Sequence, residues 1–424
     1  MDQQTDKIKL TGAIGAADSA ADPTKHPDSA GHVWSQHEIA SWLAEHSGQA
    51  MPPTQLISTL CERLLSSGFP IFRAYATLRD LHPQILARTF TWQRDKGSQE
   101  VDRFRDEINS EGYLESPVYA LNQSGASGFR KRLDIPGEPL PYPVLYEIRD
   151  EGATDYVAMP LQFTDGSRHF WSWATDAPGG FTTNQLTFLY DLMPLICLRL
   201  ELENSQHVMQ HLLATYLGAD AATRVIGGSI DRGQGEEIDA IVFFSDLRGF
   251  TRLADAHEPA DVVRVLSAYY ESMATPVQDR GGDVLKLVGD GLLAIFPIDP
   301  SKSDIDTIGC RAITAARDAT QRLEAVRSDD LPNGIGELRA GIALHRGKVT
   351  YGNVGAQNRL DFTVIGPAVN EAVRVEELSK RLERKILVTS AFADLECTND
   401  LLSLGFHALR GVREPKEIFT LAEI

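Results

Sequence analysis

Residues 240–251 read AIVFFSDLRGFT, and this stretch decides how the second half of the chain is built. Ile241 to Phe244 form an apolar run of strand length, Asp246 follows at its end, and Leu247-Arg248-Gly249 turns the chain. A helical pattern then runs from Ala260 to about Asp279. A carboxylate at a strand end, beside a glycine-containing turn with free backbone N–H groups, suits a metal ion together with phosphate oxygens. Capping explains most acidic residues at strand ends, so the stretch carries that chemistry only in company.

The company follows within fifty residues. Gly281-Gly282 ends the helix, Val284–Val288 reads as a strand, Gly289-Asp290-Gly291 as a tight turn, and Leu292–Pro297 as the returning strand. Lys286 is a cation inside an otherwise apolar strand, where lysine ordinarily snorkels outward from an edge. Further on, 360–377 reads LDFTVIGPAVNEAVRVEE. A strand (Phe362–Ile365) passes through Gly366-Pro367 into a helix, and Asn370 and Arg374 fall four apart on one helical face.

Taken in order, FSDLRGFT, KLVGDG and DFTVIGPAVNEAVR resemble the class III adenylyl and guanylyl cyclases, over residues 236–424. A passing similarity of Gly281-Gly282-Asp283-Val284 to the GGDEF signature of diguanylate cyclases is set aside, because its Glu and Phe are absent. The resemblance implies that Asp246 and Asp290 hold two divalent metal ions, Mg²⁺ or Mn²⁺. It makes Asn370 the group that orients the ribose and Arg374 the group that meets charge developing at the α-phosphate. It puts Gly249 and Phe250 against the substrate and suggests Arg410, in Leu409-Arg410-Gly411-Val412-Arg413, as a phosphate ligand.

The family's two base-reading positions fall on Lys286 and Thr363. Lysine only donates and suits adenine N1, while the threonine hydroxyl can accept from N6. Guanylyl cyclases of the family carry an acidic residue at the first position, so Lys286 speaks for ATP. Threonine at the second resembles the class IIIb subgroup, some members of which respond to bicarbonate. The expected activity is conversion of ATP to 3′,5′-cyclic AMP and pyrophosphate. A guanylyl cyclase, or a catalytically dead nucleotide-sensing module, are the alternatives. In this family one subunit supplies the aspartates and the other the base-reading and transition-state residues. One cyclase domain carrying both sets implies a head-to-tail homodimer.

The first half reads differently. Residues 1–35 are polar, lack an apolar leader segment, and are expected to be a disordered tail. Helical patterns at Gln36–His46 and Thr54–Ser66 precede alternating strands at Phe72–Arg79, Ala87–Gln93, Val157–Phe163 and Arg168–Thr175. This order over residues 36–182 resembles a GAF-type sensor, an α/β domain, with a small molecule as candidate effector; bicarbonate is the effector that the class IIIb likeness suggests. Trp92, Trp171 and Trp173 could line a ligand pocket, but an ordinary core is the expected role. Thr182 and Gln185 have capping-box spacing. The segment 183–235 reads as a helical linker that Pro194 should kink or split.

The expected fold is therefore α+β: a GAF-like unit, then a ferredoxin-like catalytic domain with a mostly antiparallel sheet. No apolar run approaches the roughly 18 residues of a membrane span. The net charge of −18 argues against a nucleic-acid partner. Cys61, Cys197, Cys310 and Cys397 are widely separated, which fits a reducing cytoplasm better than a disulfide framework or zinc site.

Overall fold

The computed structural model describes residues 34–45, 51–299, 301, 305–327, 331–332, 335–395 and 400–422. The expected tail lies outside them except for Trp34 and Ser35, as does Cys397. The chain divides into two compact units, 1–209 and 210–424. Among the described residues no helix is long and apolar enough to cross a membrane.

The first unit begins with α1 (Gln36–Ala44), α2 (Pro53–Ser66), β1 (Ile71–Arg79), β2 (Ile85–Gln93) and β3 (Gly97–Phe104). A 3-10 turn (Arg105–Asn109), α3 (Glu111–Leu114), α4 (Pro117–Ser124), β4 (Phe129–Arg132) and α5 (Pro143–Asp150) fill the middle. Then come β5 (Asp155–Gln162), β6 (Arg168–Thr175) and α6 (Thr183–Leu217). The sheet is antiparallel throughout, in the order β3-β2-β1-β6-β5-β4.

Period-2 alternation sends Trp171 and Trp173 to the face covered by α1, α2 and α6, and Phe170 and Ala174 to the face covered by α4 and α5. Trp92 joins the first of these cores, so all three tryptophans pack the interior. The Thr182–Gln185 capping box forms, with both reciprocal bonds. Pro194 does not split α6, which is a single helix of 35 residues. Leu189, Leu192, Met193, Ile196 and Leu200 pack it into the core around the proline, and that packing outweighs the one backbone bond lost.

The second unit contains α7 (Ala219–Ile226), β7 (Gly235–Leu247), α8 (Phe250–Ala256), α9 (Pro259–Asp279), β8 (Asp283–Val288) and β9 (Gly291–Ile298). After α10 (Ile305–Glu324) come β10 (Ala340–Ala356), β11 (Arg359–Ile365), α11 (Pro367–Leu382), β12 (Ile386–Thr389) and α12 (Ser390–Ala393). β13 (Leu401–His407) and β14 (Lys416–Leu421) close it. Strand order is β13-β14-β12-β10-β7-β9-β8, with β11 paired to β10; only β10 and β12 run parallel.

Central β7 is apolar from Ala240 to Phe244 because both its faces are covered there. Ile241 and Phe243 pack with α9 and α10, and Ala240 and Val242 with the α7 and α11 side. Two expectations change. The sequence pattern predicts separate strands at 338–345 and 348–354, but they are one continuous β10, because its register with β7 runs unbroken from Ala340 to Gly352. Within the expected helical linker, 219–226 forms α7, whose Ala221 and Ala222 are buried. β13 is an edge strand, half exposed and without a clear alternation, and was not foreseen.

Candidate active site

Asp246 ends β7 between two glycines, Gly291 on β9 and Gly341 on β10. With no side chain at either neighbouring position, room is left for other groups to reach its carboxylate; the side chain is 16% exposed. A Cβ at Gly341 would come within 2.3 Å of Arg248 and 2.4 Å of Glu376, so that position must be bare for those groups to meet. The Leu247 amide donates to the Asp290 carbonyl at 2.9 Å, which pins the β8–β9 turn beside the end of β7. Tyr270 holds the same turn through the Gly289 carbonyl. Partial burial and the charge of Asp246 push the Asp290 carboxyl above its ordinary value. Gly249, at φ +72°, turns the chain into α8, which starts at Phe250; both lie directly beyond Asp246.

A cluster that sequence reasoning missed completes this corner. Lys380 on α11 pairs with Asp246, Arg248 donates to Ser379, and Arg248 lies 3.3 Å from the buried Glu376. Burial and the nearby charge of Asp246 push Glu376 up to about 7. Burial works against the Lys380 ammonium, but its hydrogen bond to Asp246 and the charge of Glu376 outweigh it and raise its value. The only signal in the sequence was the i,i+4 spacing of Glu376 and Lys380. Paired carboxylates of this kind are oxygen donors suited to a hard divalent cation, and the Lys380 ammonium already supplies a cation at Asp246.

The remaining expected residues lie on β8, β11, α11 and the β13–β14 connection. Lys286, on edge strand β8, pairs with Asp361 of β11. Thr363 lies two residues along the same strand and is buried, opposite Gly352 of β10. Asn370 sits exposed in the first turn of α11, and Arg374, one turn on, pairs with Glu377. Arg410 is exposed in the β13–β14 connection. Lys416, which ends that connection, lies 3.6 Å from Glu371, the neighbour of Asn370.

Asp246 is in register with Gly341 of β10 and Thr363 with Gly352. The hairpin of β10 and β11 curls back over the sheet, since Asp361 meets Lys286, which stands opposite Leu293 of β9, itself opposite Phe244 of β7. Helix α11 presents two sides. At about 100° per residue, Asn370 and Arg374 point one way, and Glu376 and Lys380 point about 120° round from them.

Residues 234–421 match the family model described as adenylate and guanylate cyclase catalytic domain. An adenylate cyclase of Anabaena cylindrica is 35% identical over 158 residues, which are 37% of this chain and 30% of that protein. An uncharacterised protein of Mycobacterium tuberculosis is 36% identical over 187 residues, 43% of this chain and 32% of that protein. The matched part thus spans about a third of these curated relatives. The crystal structure of an adenylyl cyclase from P. aeruginosa matches 45% of this chain and 97% of its own, at 28% identity and a TM-score of 0.41.

Proposed function

We propose, from the premise that residues 234–421 are a class III nucleotidyl cyclase catalytic domain, that the protein converts ATP to 3′,5′-cyclic AMP and pyrophosphate at sites shared by two copies of the chain. The observation that carries this reading is the division of α11: Lys380 lies on Asp246, while Asn370 and Arg374 point about 120° round the helix from the Glu376–Lys380 side. A head-to-tail pair would bring the Asn370–Arg374 face of one copy to the aspartate corner of its partner.

In the reaction the ribose 3′-oxygen bonds to the α-phosphorus, the bond to the β-phosphate oxygen breaks, pyrophosphate leaves, and the 3′-proton passes to solvent. Asp246 and Asp290 would hold two divalent metal ions, Mg²⁺ or Mn²⁺, which when bound lower the pKa of the 3′-hydroxyl and neutralise phosphate charge. Gly249 and Phe250 border the triphosphate beside Asp246. From the partner copy, Lys286 donates to adenine N1, Thr363 accepts from N6, and Asn370 orients the ribose. Arg374 meets the charge that develops at the α-phosphate, so its loss lowers kcat more than it raises KM. Arg410 reaches for phosphate from the same end.

Residues 36–182 act in this reading as a GAF-like regulatory domain for a small effector, with α6 as the link; bicarbonate, suggested by Thr363, would act on the catalytic domain. Its antiparallel six-stranded sheet and the unbroken 35-residue helix support that role. The widely spaced cysteines support a cytoplasmic setting.

Two measurements test the proposal. Purified full-length protein should turn over ATP in preference to GTP with Mg²⁺ present; a preference for GTP overturns the reading of Lys286. Asp290→Ala and Arg374→Ala should each be inactive alone and recover activity when mixed, because a mixed dimer keeps one intact site. No recovery in mixtures shown to contain the heterodimer would sink the shared site.

A further inference from the structure

We propose that Asp361 is a positioning residue for base selection: its carboxylate holds the Lys286 ammonium in the direction that reads the base. The proposal rests on the reading of Lys286 as the adenine-recognising group and extends it to a residue outside that set.

Three features of the fold support it. The β8–β9 register slips between Val284 and Lys286, since Val284 pairs with Ala294 and Lys286 already with Leu293. Leu285 is the extra residue of a bulge, a device that re-aims side chains beside functional sites. Lys286 thereby meets β11, where Asp361 is its partner. Asp361 and Thr363 alternate onto one face of that strand, so both proposed base-reading groups are tied to a single element. The place of β11 is itself fixed. It pairs along its whole length with β10, and β10 at Gly352 lies so close to the backbone before β7 that a Cβ would come within 2.1 Å of the Gln234 carbonyl.

The chemistry follows from the donor count. An ammonium has three N–H donors and a flexible four-carbon stem. Spending one donor on a carboxylate fixes the stem and leaves two directed away from Asp361. Thr363 has no charge with which to do this, so Asp361 supplies the fixed anion from two residues away. Both members of the pair are about two-fifths exposed, at 39% and 43%. Exposed pairs contribute little to folding. The effect of losing Asp361 therefore belongs in substrate binding rather than in stability.

The test is a double-mutant cycle on the full chain, reading KM and kcat for ATP and GTP together with Tm. Asp361→Asn and Asp361→Ala should raise KM for ATP about five- to tenfold, leave kcat within about twofold, and lower the ATP preference in kcat/KM. Tm should not move. Asp361→Glu should recover part of the loss. In a Lys286→Ala background, Asp361→Ala should add nothing further. If Lys286→Ala changes KM and base preference while Asp361→Asn changes neither, Asp361 does not position the lysine. Full additivity of the two substitutions, or a fall in Tm that accounts for the loss, also overturns the proposal. If Lys286→Ala itself leaves base preference intact, the reading of Lys286 fails and the role of Asp361 fails with it.

Discussion

Asp155 in the first unit and Asp246 in the second both belong to strands of an antiparallel sheet, but their surroundings are opposite. Asp155 is fully buried and saturated. It accepts from Arg130 at 2.8 Å and from the Phe181 and Tyr156 amides at 3.0 Å each. Asp246 lies between two glycines, with the carboxyls of Asp290 and Glu376 both pushed upward in part by its charge. In the first case charge fixes the chain leading into α6. In the second, like charges are held together at a cost that a bound cation would relieve. Both carboxylates have a cationic partner, and what differs is the company of further carboxyls at Asp246.

The contrast can be broken from either side. The largest effect is expected at Asp155: Asp155→Ala leaves Arg130 and the Phe181 amide without their acceptor. It should destabilise the first unit by about 3 kcal/mol, seen as a lower transition in thermal or urea unfolding. An unchanged transition would show that this charge is dispensable. At the corner, Lys380→Met removes the resident cation from Asp246. Direct titration by calorimetry should then show Mn²⁺ binding several-fold more tightly, because metal no longer competes with an ammonium. Weaker binding would instead make Lys380 a support of the metal site.

The smallest effect is a pH dependence in the first unit. Burial, and then the charge of Arg79, lower His169 to about 4, and its Nδ1 accepts from the Arg79 amide at 2.9 Å. Between the ordinary value near 6.5 and about 4 the unfolded chain binds a proton that the folded chain refuses. Stability is therefore lost as pH falls through that window. His169→Gln cannot take up this charge, so its unfolding free energy should lose the corresponding slope below pH 6.5. An unaltered slope would assign the acid limb to other groups.

Much of this was legible in the chain. Strands Phe72–Arg79 and Arg168–Thr175 follow from alternation, and the Asp290 hairpin from its Asp-Gly turn, because these signals act over a few residues. The capping box at Thr182 is of the same kind. Pro194 does not split its helix, although local propensity favours a break there, because the packing of Leu189, Met193 and Ile196 overrides it. The single long β10 was hidden because a continuous register with β7 is a property of two strands at once.

The sequence by itself determined the residue types of the candidate site: Asp246, Asp290, Lys286, Thr363, Asn370 and Arg374, at spacings set by turns and helical periodicity. It could not say that Lys380 lies on Asp246, that Glu376 is buried behind it, or that Asp361 meets Lys286. Those pairs are separated by 134, 130 and 75 residues respectively (380 − 246, 376 − 246 and 361 − 286). Nor could it say which face of α11 meets Asp246. Local conformation is encoded by near neighbours, whereas the meeting of distant side chains depends on the register of the whole sheet, and only the folded chain fixes that.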